Sequence, residues 1–374
     1  MVLLLVASCS SIQMQREFRA NKGDWIMYGG VKERTNVALC QLMPSLTKAW
    51  EYEAGAGFSS YAGAIIDSTF FFGTLQGELH LINIVTGKGT SVADFGTAIV
   101  GAPIVDKGNV YIALAHDEES LIAYNTQTGK NEWKAKLGDI ETSPLLVEDK
   151  LYVTTFLGSL ACVNKKSGMI EWAFQVPHSN SSSMIHSSPA SDGRVVVFGS
   201  DNGSVYAVSI DSGRLVWQTH TGAAIMASPS ISERKVFTGS LDHSFYALDA
   251  ASGEIAWKRT LSAPIFSSQA VDDRHVYVGT TDHTLYCLNK SDGTIVWTYR
   301  ANSIFNAAPI VAGDVVIAGC TDRTVYAFQA NDGKLLWQFK TEGRVKTMPL
   351  VWNEYLLVLA ENQIVLAFKS ESVR

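Results

Sequence analysis

The chain has 374 residues, 47% hydrophobic and 18% charged, which supplies a large core and excludes a disordered or acidic-tail protein. Thirty Lys and Arg stand against thirty-six Asp and Glu, a net charge of −6, so no basic surplus exists to neutralise a nucleic-acid backbone. No apolar run approaches the roughly 20 residues that span a bilayer, which excludes a polytopic membrane protein.

In chain order, the apolar run Val2–Ala7 precedes a lone early cysteine, and Val6-Ala7-Ser8-Cys9 resembles a bacterial lipobox. The likeness implies a shortened signal over residues 1–9, lacking its charged start, and lipidation of Cys9. Ser10 after the cysteine resembles lipoproteins sent on to the outer membrane. Contact with the membrane would then run through the lipid anchor alone. A buried first strand is the other reading of the same residues. Residues 10–46 read as a polar linker followed by a cap, with Gly23-Asp24-Trp25-Ile26-Met27-Tyr28-Gly29-Gly30 and Arg34-Thr35 packed on the domain and forming no site. Lys48–Glu53, carrying Trp50, reads as a spare strand.

From there the chain repeats. Gly-x-x-x-Trp occurs at Gly129–Trp133, Gly168–Trp172, Gly213–Trp217, Gly253–Trp257, Gly293–Trp297 and Gly333–Trp337, with Trp spacings of 39, 45, 40, 40 and 40. A proline after small residues marks Pro103, Pro144, Pro189, Pro229, Pro309 and Pro349, while Gly63 and Gln269 fall in the same phase. That makes eight units, and Trp50 to Lys369 is 320 residues, or eight times 40. In the fifth unit Lys235–Ser240 and Phe245–Asp249 are β-rich, separated by the turn Leu241-Asp242-His243, and Glu254–Thr260 carries the Trp. Four short strands cannot bury both their faces alone, whereas stacking such units around an axis does. The expected fold is an all-β, eight-bladed β-propeller of four-stranded antiparallel blades over residues 47–369, with a short tail at 370–374. The last unit has only three strands of its own, so the strand around Trp50 is expected to close the ring.

Strand alternation gives the ring two faces. The Gly turns before each Trp are uniform and read as structural. The blade-to-blade loops vary and share the other face with the second–third strand turns. Four residues before the proline phase sit Ile99, Ile140, Ile185, Ile225, Ile265, Phe305 and Val345, a set that suits packing. One residue later come Val100, Glu141, His186, Met226, Phe266, Asn306 and Lys346, diverse enough to face a channel or a partner. The fourth unit has the longest loop, since Trp172 to Pro189 is 17 residues against 12 for Trp217 to Pro229. His178, His186, His243 and His283 share this face, but they are spread over separate turns and no metal site is expected from them. Cys162 and Cys287 fill one repeat position three blades apart and cannot pair; Cys40 and Cys320 complete the set.

Strings such as Val205-Tyr206-Ala207-Val208 and Asp211-Ser212-Gly213-Arg214-Leu215-Val216-Trp217 resemble the PQQ-like (quinoprotein-like) repeat propellers, over roughly residues 25–369. The segment from Gly23 is similar to the opening of many such propellers. Fold does not fix function here. The family's dehydrogenases use a calcium held by carboxylate and amide side chains, an aspartate base, a Trp stacked on the quinone and often a vicinal disulfide. Seven of the nine Trp here belong to the repeat and no Cys-Cys occurs, so no cofactor is expected and the chain reads as a non-enzyme.

The size, the lipobox and the fourth unit, with its long loop and Phe198-Gly199-Ser200-Asp201-Asn202-Gly203, resemble the BamB family of outer-membrane β-barrel assembly lipoproteins. That resemblance implies a scaffold or adaptor of the bacterial envelope, a monomeric ring on the outer membrane facing the periplasm, with the barrel-assembly machinery as partner. The family contacts its partner through charged residues in the loops entering blades four and five. The matching positions here are Met184, His186, Ala224 and Met226, joined by Phe266 in the next blade; the charges are absent, and an apolar surface is expected. A PQQ-dependent dehydrogenase, or a ligand-sensing propeller using the central channel, is the alternative.

Overall fold

A computed structural model describes residues 18–177 and 183–370. Cys9 and its signal, His178 and residues 371–374 of the tail lie outside the described residues. Eight four-stranded antiparallel sheets form the blades of a propeller, with no helix among the described residues. Blade five is representative, with strands Ser230–Ser232, Lys235–Gly239, Ser244–Asp249 and Ile255–Thr260 running from the axis outward. The two middle strands are buried on both faces because each blade is sandwiched between two others, which is why they read Val-Phe-Thr and Phe-Tyr-Ala-Leu rather than alternating. The outer strand has one free side and alternates exposed with covered residues.

Neighbouring blades are latched by one recurring contact. The indole of Trp217 in blade four lies on Gly253 of blade five, and a Cβ on that glycine would sit 2.6 Å from the ring. The same meeting joins Trp133 to Gly168, Trp172 to Gly213, Trp257 to Gly293 and Trp297 to Gly333. These glycines also hold φ between +69° and +75°, so the position demands glycine twice, for the turn and for the indole. Each indole N–H then donates to the carbonyl that ends the next blade's third strand, as Trp217 to Ala250 at 2.9 Å and Trp297 to Ala330 at 2.8 Å. Trp172 is the exception: its N–H has no acceptor, because the Tyr152 hydroxyl takes the Ile210 carbonyl at 3.3 Å. A β-bulge beside each Trp aims it, and places it across from a small residue, Ala247 for Trp257 and Cys162 or Cys287 for Trp172 and Trp297. The two cysteines are thus buried spacers opposite an indole, and both are free thiols.

The ring closes as expected. Leu46–Glu53 pairs antiparallel with Ile364–Ser370, the third strand of blade eight, and even reproduces the bulge, between Lys48 and Trp50. Trp50 then packs on Gly87 of blade one and donates to the Ile84 carbonyl at 2.7 Å.

The segment read as a cap is a plug in the axis. Residues 24–38 enter on the face of the first–second strand turns and circle the channel, bonding every blade. Trp25 exchanges backbone hydrogen bonds with Ile65 of blade one, and Val105 of blade two donates to Ile26. Ser191, Ile231, Val271 and Val311, from blades four to seven, donate in turn to Lys32, Glu33, Thr35 and Asn36. Val37–Ala38 adds a short parallel strand to blade seven, and the Trp25 indole donates to Val351 of blade eight at 2.8 Å. Trp352 answers with a bond to Asp24 at 2.8 Å.

At the centre lies Arg34, fully buried. It donates to the carbonyls of Tyr28 at 2.7 Å, Ser143 at 2.9 Å and Pro144 at 3.0 Å, and to Pro189 as well. Burial pulls its pKa down to about 10, still far above neutrality, so the guanidinium stays charged. Four carbonyls from the plug and two blades thus share one planar donor group.

Two outcomes follow from these contacts. Trp50→Ala removes the closing latch and should cost about 3 kcal/mol, read as a lower urea midpoint with unchanged slope. Arg34→Ala leaves buried carbonyls unpaired and should cost at least about 3 kcal/mol, and Arg34→Lys should restore little of it because an ammonium cannot span the same acceptors.

Candidate partner-binding site at the channel mouth

The variable face is built on a packed aliphatic ring. Ile99, Ile140, Ile185, Ile225, Ile265, Phe305 and Val345 are all buried. Ile99, Ile225, Ile265, Phe305 and Val345 each sit against the glycine ending a second strand; Ile225 presses on Gly199, where an added Cβ would lie 2.1 Å away. Those residues are inter-blade packing, and they fix the direction of the residue that follows.

That next residue points to the axis. Val100, Glu141, His186, Met226, Phe266 and Asn306 converge with Tyr28, Ser60, Tyr61 and Ser268 around a cavity of about 260 Å³. Lys346 does not join them; its ammonium is held by Glu361 at 2.7 Å. Of the five expected partner residues, His186, Met226 and Phe266 are brought together here. Met184 and Ala224 lie two residues earlier and outside the lining, with their carbonyls bonded at 3.0 Å to the backbone of Asp201 and Leu241. Phe266 is 41% exposed, a large apolar side chain left at the rim.

Below the rim the site is polar. Serines of successive blades form a belt: the backbone N–H groups of Ala102, Ser143, Ser188 and Ser228 donate to the hydroxyls of Ser143, Ser188, Ser228 and Ser268 at 2.9 to 3.0 Å. This explains the serine before Pro144, Pro189 and Pro229. Tyr28 and Tyr61 meet edge to face, centroids 4.9 Å apart, and the Tyr61 hydroxyl donates to the His186 carbonyl at 3.1 Å. Burial pushes the Tyr28 phenol up to about 12 and raises that of Tyr61, so both stay neutral donors. Sequence reasoning treated the Tyr28 segment as a cap alone and passed over Tyr61. Neither has a repeat counterpart that would have flagged it.

His186 is paired. Its Nδ1 lies 3.1 Å from Asp201, and that hydrogen bond raises its pKa above the ordinary 6.5, against the opposing effect of burial. Glu141 makes no ion pair or hydrogen bond among the described residues, yet it faces His186 and Tyr61. His243 and His283 sit apart in left-handed turns, φ 69° and 74°, and take no part in the mouth. A trio outside the expected histidines, His116, Asp139 and Glu141, has ligand atoms within 4.8 Å of one another and could hold a cation.

A quinone of the kind used by PQQ dehydrogenases does not fit this lining. Its stacking surface would be Tyr28, Tyr61 or Phe266, since Trp25 and Trp352 anchor the plug and the other Trp belong to outer strands. Its carboxylates would face Glu141, and the only buried guanidinium nearby is spent on carbonyls.

Comparison with known proteins places this geometry. The family model described as outer membrane protein assembly factor BamB matches residues 45–133, 91–264, 220–323 and 242–374. The BamB of Yersinia pestis is 23% identical over 189 residues, 46% of this chain and 48% of that protein. The BamB of Burkholderia pseudomallei (strain K96243) is 29% identical over 131 residues, 32% of each chain. The chain thus spans about half the length of the first relative and about a third of the second. Among solved structures, BamB from Moraxella catarrhalis superposes with a TM-score of 0.74 at 19% identity, covering 87% of this chain and 99% of that one. Quinohemoprotein alcohol dehydrogenase from Comamonas testosteroni superposes at 0.80 with 14% identity, covering 94% of this chain and 82% of that one. At such identities the structural likenesses speak for the fold alone.

The His186–Asp201 pair makes a pH prediction. A folded-state pKa raised above 6.5 contributes stability that is fully present below that value and lost as pH rises through the folded one. Between about pH 5.5 and about pH 8.5, the unfolding free-energy difference between wild type and His186→Gln should shrink, by less than about 1 kcal/mol since the pair is partly solvated. Paired urea titrations at the two pH values measure it; an unchanged difference would show that the pair does not stabilise the fold.

Proposed function

The chain belongs to the outer membrane protein assembly factor BamB family, and from that premise we propose that it is a non-enzymatic scaffold of the bacterial envelope that supports outer-membrane protein assembly. The observation that carries this reading is the closed axis. The plug bonds all eight blades on one face, which leaves the mouth on the other as a shallow, rigid receptor. Met226 and Phe266 give that mouth an adaptable apolar edge, and Met184 lies on the loop beside it.

In this reading the partner is a protein of the barrel-assembly machinery, docked across blades three to six, and the ring works as a monomer. The relatives' names support an outer-membrane location; the periplasmic side and Cys9 as the lipid anchor are part of the same proposal. The dehydrogenase alternative draws on fold likeness to quinohemoprotein enzymes. It finds no matching donor set at the mouth.

Affinity capture from envelope membranes tests the proposal. Wild-type protein should retain barrel-assembly components, and Met184→Glu with Met226→Glu should reduce recovery at least about tenfold, as charges desolvated at an apolar contact do. Undiminished capture by the double variant would move the interface elsewhere. Absence of those components from the wild-type capture would sink the scaffold reading.

A further inference from the structure

The mouth has a chemical preference that its apolar edge alone does not express. Three features converge in the cavity of about 260 Å³. One is the Glu141 carboxylate, which makes no ion pair or hydrogen bond among the described residues. Another is a wall of π and sulfur surface from Tyr61, Phe266 and Met226. The last is a set of neutral oxygens, from Ser60, Ser268 and the Tyr28 phenol, able to accept as well as donate. The competing charges are already engaged. His186 is held by Asp201 at 3.1 Å, Lys346 by Glu361 at 2.7 Å, and His116, within 4.8 Å of Glu141, by Asp139 at 3.2 Å. Arg34 lies beneath the Tyr28 ring, 5.0 Å from its centroid, with its donors committed to backbone carbonyls.

A half-enclosed carboxylate beside aromatic faces suits an organic cation, whose charge meets the carboxylate while its alkyl stem lies on the rings. The volume suits one side chain rather than a segment of chain. We propose that the channel mouth is a receptor for a single lysine or arginine side chain presented by the docked partner. This rests on the reading that the loop face docks a protein, and it names what that protein must offer: a basic side chain projecting along the axis, framed by apolar residues that meet Met226 and Phe266.

The test uses the full chain with ¹³C-methyl methionine and follows the Met226 methyl signal, in the presence of EDTA. Nα-acetyl-arginine amide and Nα-acetyl-lysine amide should shift it saturably, and the glutamine and glutamate counterparts should not. Glu141→Gln should weaken the cationic probes by at least about tenfold, since a charge-assisted bond is lost. Equal responses to glutamine and arginine probes overturn the proposal without any variant being made. So does a response to Zn²⁺, in the absence of EDTA, from a protein that ignores the arginine probe; the mouth would then serve the His116–Asp139–Glu141 trio. Membrane capture separates the two readings. Capture that succeeds while the probes fail removes the basic-residue pocket and leaves the scaffold standing. Probes that bind while no assembly component is captured do the reverse.

Discussion

Six of the eight blade junctions in this ring depend on an indole meeting a glycine. A blade of four short strands has two apolar faces and little else, so its stability lies in how it stacks on its neighbours. Stacking alone would let blades slide. In six blades the Trp on the outer strand fixes the offset, because it fits only where the next blade's turn lacks a Cβ, and in all of these but Trp172 a carbonyl accepts its N–H. The bulge that aims the Trp and the Ala or Cys opposite it serve the same contact. One local geometry, repeated at 40-residue intervals, therefore sets both angle and register, and Trp50 carries it across the gap between the chain's two ends.

The plug solves a second problem. The inner strands are only two or three residues long and crowd the axis, with backbone N–H groups facing inward. Water in a narrow channel could satisfy them; here an extended segment does so blade by blade, and Arg34 gathers carbonyls that strand pairing leaves over. The segment enters from the turn face.

The fold was legible because its causes are periodic. Gly-x-x-x-Trp, the proline phase and the spare Trp50 strand are local signals repeated until chance is excluded, and closure could be counted. The mouth was half legible for the same reason: Val100, Glu141, His186, Met226, Phe266 and Asn306 occupy one repeat position, so a single register argument found them all. Met184 and Ala224 came from a resemblance rather than a register, and the pocket does not include them. Tyr28 and Tyr61 escaped because their place is set by contacts with no period. Tyr61 reaches His186 across 125 residues, and Tyr28 reaches the mouth only because Arg34 and the plug carry it through the axis. The serine belt shows the boundary well. Its small residues were visible before each proline, but the N–H of one blade bonding the hydroxyl of the next appears only once the ring is closed.

Uniformity on one face and variety on the other have a common origin. The turn face carries the latches, so a change there must satisfy glycine conformation, indole volume and a hydrogen bond together. On the loop face only the buried aliphatic is constrained; the residue after it is directed to the axis by that packing but owes nothing to it. A propeller built this way can alter what its mouth recognises without touching what holds it together. Eight blades give eight nearly independent positions, seven of them around one small cavity, and a rigid wall keeps each side chain's direction while its chemistry changes. Recognition at the mouth is thus a matter of which few side chains converge, and here those are one carboxylate unpaired among the described residues, a committed histidine and an aromatic rim.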